Sequence, residues 1–260
     1  MQDYFLKIPL FFLVLLSGCA SLPAVEFATV DQRQIEYALI KGGTPAVIFE
    51  NGLGASMHSW DKVFRVIGKD ATVFAYNRPG YGSSDPASTP RDGAHIVDEL
   101  RAFLRSQGLM PPYVLVGHSL GGLYMQLFAR KYPEEVRGLV LVDATHPTQM
   151  EGAGSVERQA WWMRTLVFLF LTGELEKEFK SAPTTGQEVL RLPTVSDKPL
   201  IILSAVDNRD NDVVRHSNSK RADFARLYPD GRQLWVESGH FIQIDKPEVV
   251  IEAIRNVLAR

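Results

Sequence analysis

The segment Gly117-His118-Ser119-Leu120-Gly121-Gly122 sets one serine between two glycines at the spacing G-x-S-x-G. It follows the apolar run Tyr113–Val116 and leads into a helical pattern over Gly121–Lys131. A serine in that setting sits on a sharp strand-to-helix turn, with its hydroxyl lifted to a helix N-terminus where negative charge is favoured. The glycines let neighbouring backbone pass without Cβ clashes. The chemistry on offer is attack on a carbonyl. A hydroxyl, however, is a weak nucleophile until a base removes its proton.

His240 is the candidate base. It lies in Glu237-Ser238-Gly239-His240-Phe241, after the last strand pattern and before the C-terminal helical pattern, and it is the last histidine of the chain. His118 is the neighbour of the serine, His95 falls on a helical face and His216 lies in a polar stretch. His58 and His146 follow core strands and could reach a cleft. The chain order serine, acid, histidine leaves room for a carboxylate that orients the imidazole. Asp207, in the loop after Leu200-Ile201-Ile202-Leu203-Ser204, is the expected acid; Asp143, at the end of Leu139–Val142, and the pair Asp210/Asp212 are the alternatives. Donors for an oxyanion are expected from the backbone N–H of Leu120, next to the serine, and of Leu53, in the loop Glu50-Asn51-Gly52-Leu53-Gly54. No closely spaced His/Asp/Glu set matches a metal-ligand pattern, and the chemistry calls for no cofactor.

These residues need a scaffold. Strand patterns fall at Glu26–Val30, Gln34–Ile40, Ala46–Phe49, Thr72–Tyr76, Tyr113–Val116, Gly138–Val142, Leu200–Leu203 and Gln233–Val236. Helical patterns fall at Asp61–Ile67, Arg91–Gln107, Gly121–Lys131, Ala222–Leu227 and Glu248–Leu258. Runs such as Leu139-Val140-Leu141-Val142 read as strands buried on both faces of a parallel sheet, whereas the first two strands alternate like an antiparallel edge. Alternating strands and helices predict an α/β fold with a mostly parallel eight-stranded sheet flanked by helices. Residues 147–196 interrupt the rhythm. There Trp161–Leu171 is apolar almost all round, and two helical stretches are separated by Thr172-Gly173, which predicts a small helical cap inserted after the sixth strand. All-round apolarity argues for a helix packed on the core, and one face could still meet substrate. Trp161, Trp162 and His146 are the expected substrate contacts.

Asn51-Gly52-Leu53-Gly54…Trp60, Asn77-Arg78-Pro79-Gly80-Tyr81-Gly82-Ser83-Ser84, Gly117–Gly122, Asp207 and Gly239-His240-Phe241 together resemble the α/β-hydrolase superfamily. The resemblance runs from about Phe27 to the C-terminus, apart from the cap. It departs from the usual pattern at Asn51, where a histidine is common, and at Asn77, where an aspartate is common. A serine at the turn sets the chain apart from relatives that use aspartate there. The resemblance implies a core of residues 27–146 and 197–260, and hydrolysis of a carboxylic ester through a Ser-His-Asp triad, while the apolar cap suggests an apolar acyl or aromatic substrate over a charged one. The same triad could act on thioesters, amides or C–C bonds or transfer an acyl group, and a non-catalytic lipid-anchored binding protein is the rival from another class.

The N-terminus carries a different signal. Lys7 precedes the apolar run Ile8–Leu16, too short to span a bilayer but of signal-peptide length. Leu16-Ser17-Gly18-Cys19 resembles the lipobox of bacterial lipoproteins, which implies a signal peptide over 1–18, lipidation at Cys19, a tether over 19–26 and anchorage to a membrane, with Ala20 favouring the periplasmic face of the outer membrane. Cys19 is the only cysteine, so no disulfide can form within the chain. A formal charge of -2 and the lack of a basic cluster argue against a nucleic-acid partner.

Overall fold

Apolar runs of four to eight residues become an eight-stranded sheet: β1 (Glu26–Val30), β2 (Arg33–Ile40), β3 (Ala46–Glu50), β4 (Val73–Tyr76), β5 (Tyr113–His118), β6 (Val136–Val142), β7 (Leu200–Ala205) and β8 (Arg232–Val236). The structure is a computed structural model that describes Leu22 and residues 25–155 and 171–260. Strand order is β1-β2-β4-β3-β5-β6-β7-β8. The pairs β1–β2 and β2–β4 are antiparallel, and every other pair is parallel. The two alternating strands are thus the antiparallel end, as their pattern predicts.

Among the described residues the helices are α1 (Asp61–Ile67), α2 (Gly93–Ser106), α3 (Leu120–Lys131), α4 (Gly173–Arg191), α5 (Asp212–Leu227), α6 (Ile242–Asp245) and α7 (Pro247–Leu258). They cover the sheet on both faces. On one face Tyr113 and Leu115 of β5 join Leu100, Leu123 and Phe128. On the other, Val114 and Val116 join Phe64, Val140 and Ile254. This two-sided burial is why the central strands read as unbroken apolar runs.

One helix departs from expectation. The pattern predicts Ala222–Leu227, yet α5 begins ten residues earlier, with the Asn211 side chain accepting from Val214 N at 3.0 Å. That cap satisfies one of the orphan N–H groups of the first turn. The early turns are polar and bury mainly Val214, so little apolar periodicity marks them. Within the expected cap, α4 packs on α3 and α2, and Gly93 N donates to Thr185 Oγ1 at 2.9 Å. Its buried side includes Glu178. The apolar stretch containing Trp161 and Trp162, the signal segment and Cys19 lie outside the described residues. No described helix is long and apolar enough to cross a membrane.

Candidate active site

The serine occupies a backbone conformation that an L-residue seldom adopts, φ 52° and ψ -123°, a strain that persists only where the surroundings over-determine it. Here the restraints are visible. Ser119 N donates to Val142 O at 3.2 Å, and Ser119 O accepts from Gly122 N and Thr145 N, each at 2.9 Å. The turn is therefore held between the end of β6 and the start of α3. A Cβ on Gly121 would collide with the carbonyl oxygens of Glu50 and Asn51, so glycine is what allows α3 to start this close to β3.

His240 turns its Nδ1 to Asp143 Oδ2 at 2.6 Å. With Nδ1–H donating to the carboxylate, Nε2 is left as the basic nitrogen. Asp143 sits at the C-terminal edge of the sheet, directly after β6, with φ 37° and its N–H bonded to Leu203 O at 2.7 Å. The expectation that Asp207 is the partner is corrected. Asp207 lies two residues beyond β7 and turns to Arg209, whose Nη2 is 2.6 Å from Oδ2. Those hydrogen bonds hold the Asp207 carboxyl below its ordinary value, and the structure does not bring it to His240. Asp210 and Asp212 both engage Arg215.

Asp143 has a partner that no motif marks. Arg221 of α5 donates from Nε to Oδ1 at 2.7 Å and from Nη2 to Oδ2 at 2.8 Å, while Ala205 N donates to Oδ1 at 3.0 Å. Burial disfavours the charged carboxylate, but the bonds from Arg221 and His240 outweigh it and hold Asp143 well below the usual carboxylate range. Arg221 falls in the helix turns whose periodicity is weak, and for that reason sequence reasoning misses it.

The loop carrying Leu53 meets the serine directly. A Cβ on Gly52 would lie 3.1 Å from Ser119 Cβ and 2.9 Å from His118 Nδ1. Leu120 is the first residue of α3, so its N–H has no intrahelical carbonyl to serve. Beneath the loop, Arg78 donates from Nη1 to Asn51 O at 2.7 Å and from Nη2 to Gly52 O at 3.1 Å. The same guanidinium pairs with Glu50 at 2.5 Å and with Glu178 of α4 at 2.9 Å. Burial works against its charge, but Glu178, Tyr81 and Glu50 keep Arg78 protonated. Asn51 and Asn77 serve the same scaffold: Asn51 Oδ1 accepts from Trp60 Nε1 at 2.9 Å, and Asn77 Oδ1 accepts from Met57 N at 2.8 Å.

The other histidines divide. His118 is buried and its Nε2–H donates to the His240 carbonyl at 3.0 Å, with the two rings 4.6 Å apart. Burial, aided by the neighbouring His240, pushes its pKa down to about 3, so it is a neutral spacer. His146 is also corrected. Instead of lining a substrate cleft it is buried, its Nδ1 accepting from Thr148 N at 3.2 Å and its ring 5.0 Å from Phe224. Burial pushes it down to about 4 despite Asp223 nearby. Among the described residues no group of three or more His, Cys, Asp or Glu could hold a metal ion. A cavity of about 320 Å³ lined by Val195, Lys198, Leu200, Arg226 and Tyr228 lies at the start of β7. Ligands of parallel α/β sheets bind outside the carboxyl ends of the strands, where Ser119, Asp143 and His240 lie.

Comparison with known proteins agrees with this architecture. The family model described as the alpha/beta hydrolase fold matches residues 45–197, more than half of the chain. The uncharacterized protein YbdG of Bacillus subtilis (strain 168) is 22% identical over 229 residues, which is 72% of this chain and 69% of that protein. Two other curated relatives are matched over only 38% and 16% of their own length. Among solved structures, an alpha/beta hydrolase fold protein from Burkholderia ambifaria superposes with a TM-score of 0.66 at 16% identity, covering 89% of this chain and 97% of that one. E-2-(acetamidomethylene)succinate hydrolase superposes with a TM-score of 0.62 at 17% identity, covering 91% and 99%. At such identities the superpositions establish the fold.

Proposed function

This chain belongs to the α/β-hydrolase fold family, and we propose that it is a serine hydrolase that cleaves carboxylic esters through an acyl-enzyme. The observation that carries the proposal is the strained Ser119 at the head of α3, next in the chain to the His118 on which His240 packs, with His240 oriented by Asp143 at 2.6 Å. In this reading Ser119 Oγ attacks the ester carbonyl and His240 Nε2 takes its proton. The tetrahedral intermediate places its oxyanion between the N–H groups of Leu53 and Leu120, donors fixed in advance of the reaction. Collapse expels the alcohol, which takes the proton from His240. Water then attacks the acyl-enzyme with His240 again as base, releasing the carboxylate and restoring Ser119. Asp143 stays ionised throughout and stabilises the imidazolium.

An apolar acyl or aromatic ester is the proposed substrate class. It is supported by the apolar character of the cap stretch and by Leu175 of α4, whose Cδ2 lies 3.4 Å from where a Cβ on Gly54 would sit. The test is a chromogenic ester series from acetyl to long acyl, run on wild type and Ser119→Ala. Loss of the nucleophile is expected to lower kcat by roughly 10⁴–10⁶. Equal turnover by the two proteins would sink the proposal. Lipid anchorage at Cys19 is a separate proposal, resting on Leu16-Ser17-Gly18-Cys19. Mass spectrometry of the mature N-terminus should find a diacylglyceryl-modified Cys19, and a free thiol there would contradict it.

A further inference from the structure

We propose that Arg221 is a positioning residue of this site: it seats both carboxylate oxygens of Asp143 opposite His240 and through them holds the imidazole in its working orientation. The inference rests on the serine-hydrolase reading.

A carboxylate offers about four lone-pair sites, and all four are taken here. Oδ1 receives Arg221 Nε and Ala205 N, and Oδ2 receives Arg221 Nη2 and His240 Nδ1. The guanidinium fork spans both oxygens, so rotation of the carboxylate away from the imidazole would break two charge-assisted bonds at once. Arg221 is itself tethered, donating from Nη1 to Asn218 Oδ1 at 2.9 Å, while its carbonyl accepts from Gln233 Nε2 at 2.8 Å. It therefore acts through Asp143 as a fixed part of α5.

Nucleophile activation can be read without an ester substrate. A fluorophosphonate reacts with Ser119 Oγ, displacing fluoride as the base takes the proton, and the adduct is located by peptide mass. The rate of labelling of the full chain is measured from pH 5 to 9. Arg221→Gln removes the fork across both carboxylate oxygens, so its plateau rate is expected to fall roughly tenfold. Arg221→Lys keeps a charged donor that cannot span both oxygens, so its plateau should lie between those of wild type and Arg221→Gln, and this partial rescue separates seating of the carboxylate from a role in packing. Asp207→Asn leaves the fork intact and should label at the wild-type rate. A wild-type plateau in Arg221→Gln would overturn the inference. Should that variant not fold, a wild-type plateau in Arg221→Lys does the same. A wild-type chain left unlabelled at Ser119 would instead overturn the serine-hydrolase reading itself.

Discussion

Two buried guanidinium–carboxylate clusters flank Ser119, and they differ in what they leave free. Around Arg78 everything is closed: its side chain and those of Glu50 and Glu178 are all 0% exposed. Every charge there is answered from within, and the cluster binds the loop carbonyls of Asn51 and Gly52 to the sheet and to α4. Around Asp143 the carboxylate is equally hidden, at 1%, but Arg221 is 16% exposed and His240 is 37% exposed. One end of this second cluster opens to solvent. A closed cluster can only hold geometry, whereas an open one can exchange a proton. Removing one member of a closed ion pair is costly because it strands the other.

The largest expected effect separates the two acid candidates. Asp143→Asn should lower kcat on a reactive ester by on the order of 10⁴, the loss expected when the orienting carboxylate becomes an amide. Asp207→Asn should stay within a few-fold of wild type. Steady-state kinetics of the pair decides, and a collapse in Asp207→Asn alone would reverse the assignment.

Next in size is stability. Arg78→Met strands Glu50 and Glu178 and should cost about 3–5 kcal/mol in urea unfolding. Arg221→Gln should cost clearly less, since Asp143 keeps Ala205 N and His240. Equal losses from the two substitutions would erase the distinction between closed and open clusters.

A third test uses pH. His118 and His146 are held down to about 3 and about 4, from 6.5 when unfolded. Their neutral burial thus contributes stability that is fully present above about pH 6.5 and is lost as pH falls from there towards 4. In that window the unfolded chain binds the extra protons, and each imidazole adds up to about 1.4 kcal/mol per pH unit to the slope. Urea midpoints at pH 7.5 and pH 5 should show the drop. His118→Gln should flatten it, because one of the two depressed imidazoles is then gone.

The smallest effect is at the start of the helix that carries Arg221. Asn211→Ala removes the cap on Val214 N and should cost about 1 kcal/mol. Thermal melts would read it, and no loss at all would mean that tertiary packing alone holds the early turns of α5.

The split between legible and illegible residues has physical roots. Ser119, His240 and the strands around them follow from local pattern: glycine spacing at a turn, apolar runs of strand length, and chain order. Asp143 and Asp207 look alike on those criteria, since both follow an apolar strand closely. What separates them is rotation at the sheet edge. Asp143, tied by its N–H to Leu203 O, aims across at His240, while Asp207, further out in its loop, is captured by Arg209 two residues away. His146 follows a core strand and on that pattern could reach a cleft, yet it is buried: position along the chain carries no direction in space.

Arg221 and Glu178 show the limit most clearly. Each reads as an ordinary charge on a helix, and nothing in its neighbourhood in the chain announces burial. Arg221 reaches Asp143 across 78 residues, and Glu178 reaches Arg78 across 100. The amino-acid sequence by itself determined the fold class and the sheet, because those depend on periodicity and turn chemistry acting over a few residues, and it singled out Ser119 and His240 as candidates. Tertiary structure alone decided which carboxylate serves the histidine and which cation accompanies it, because charge pairing depends on distance in space.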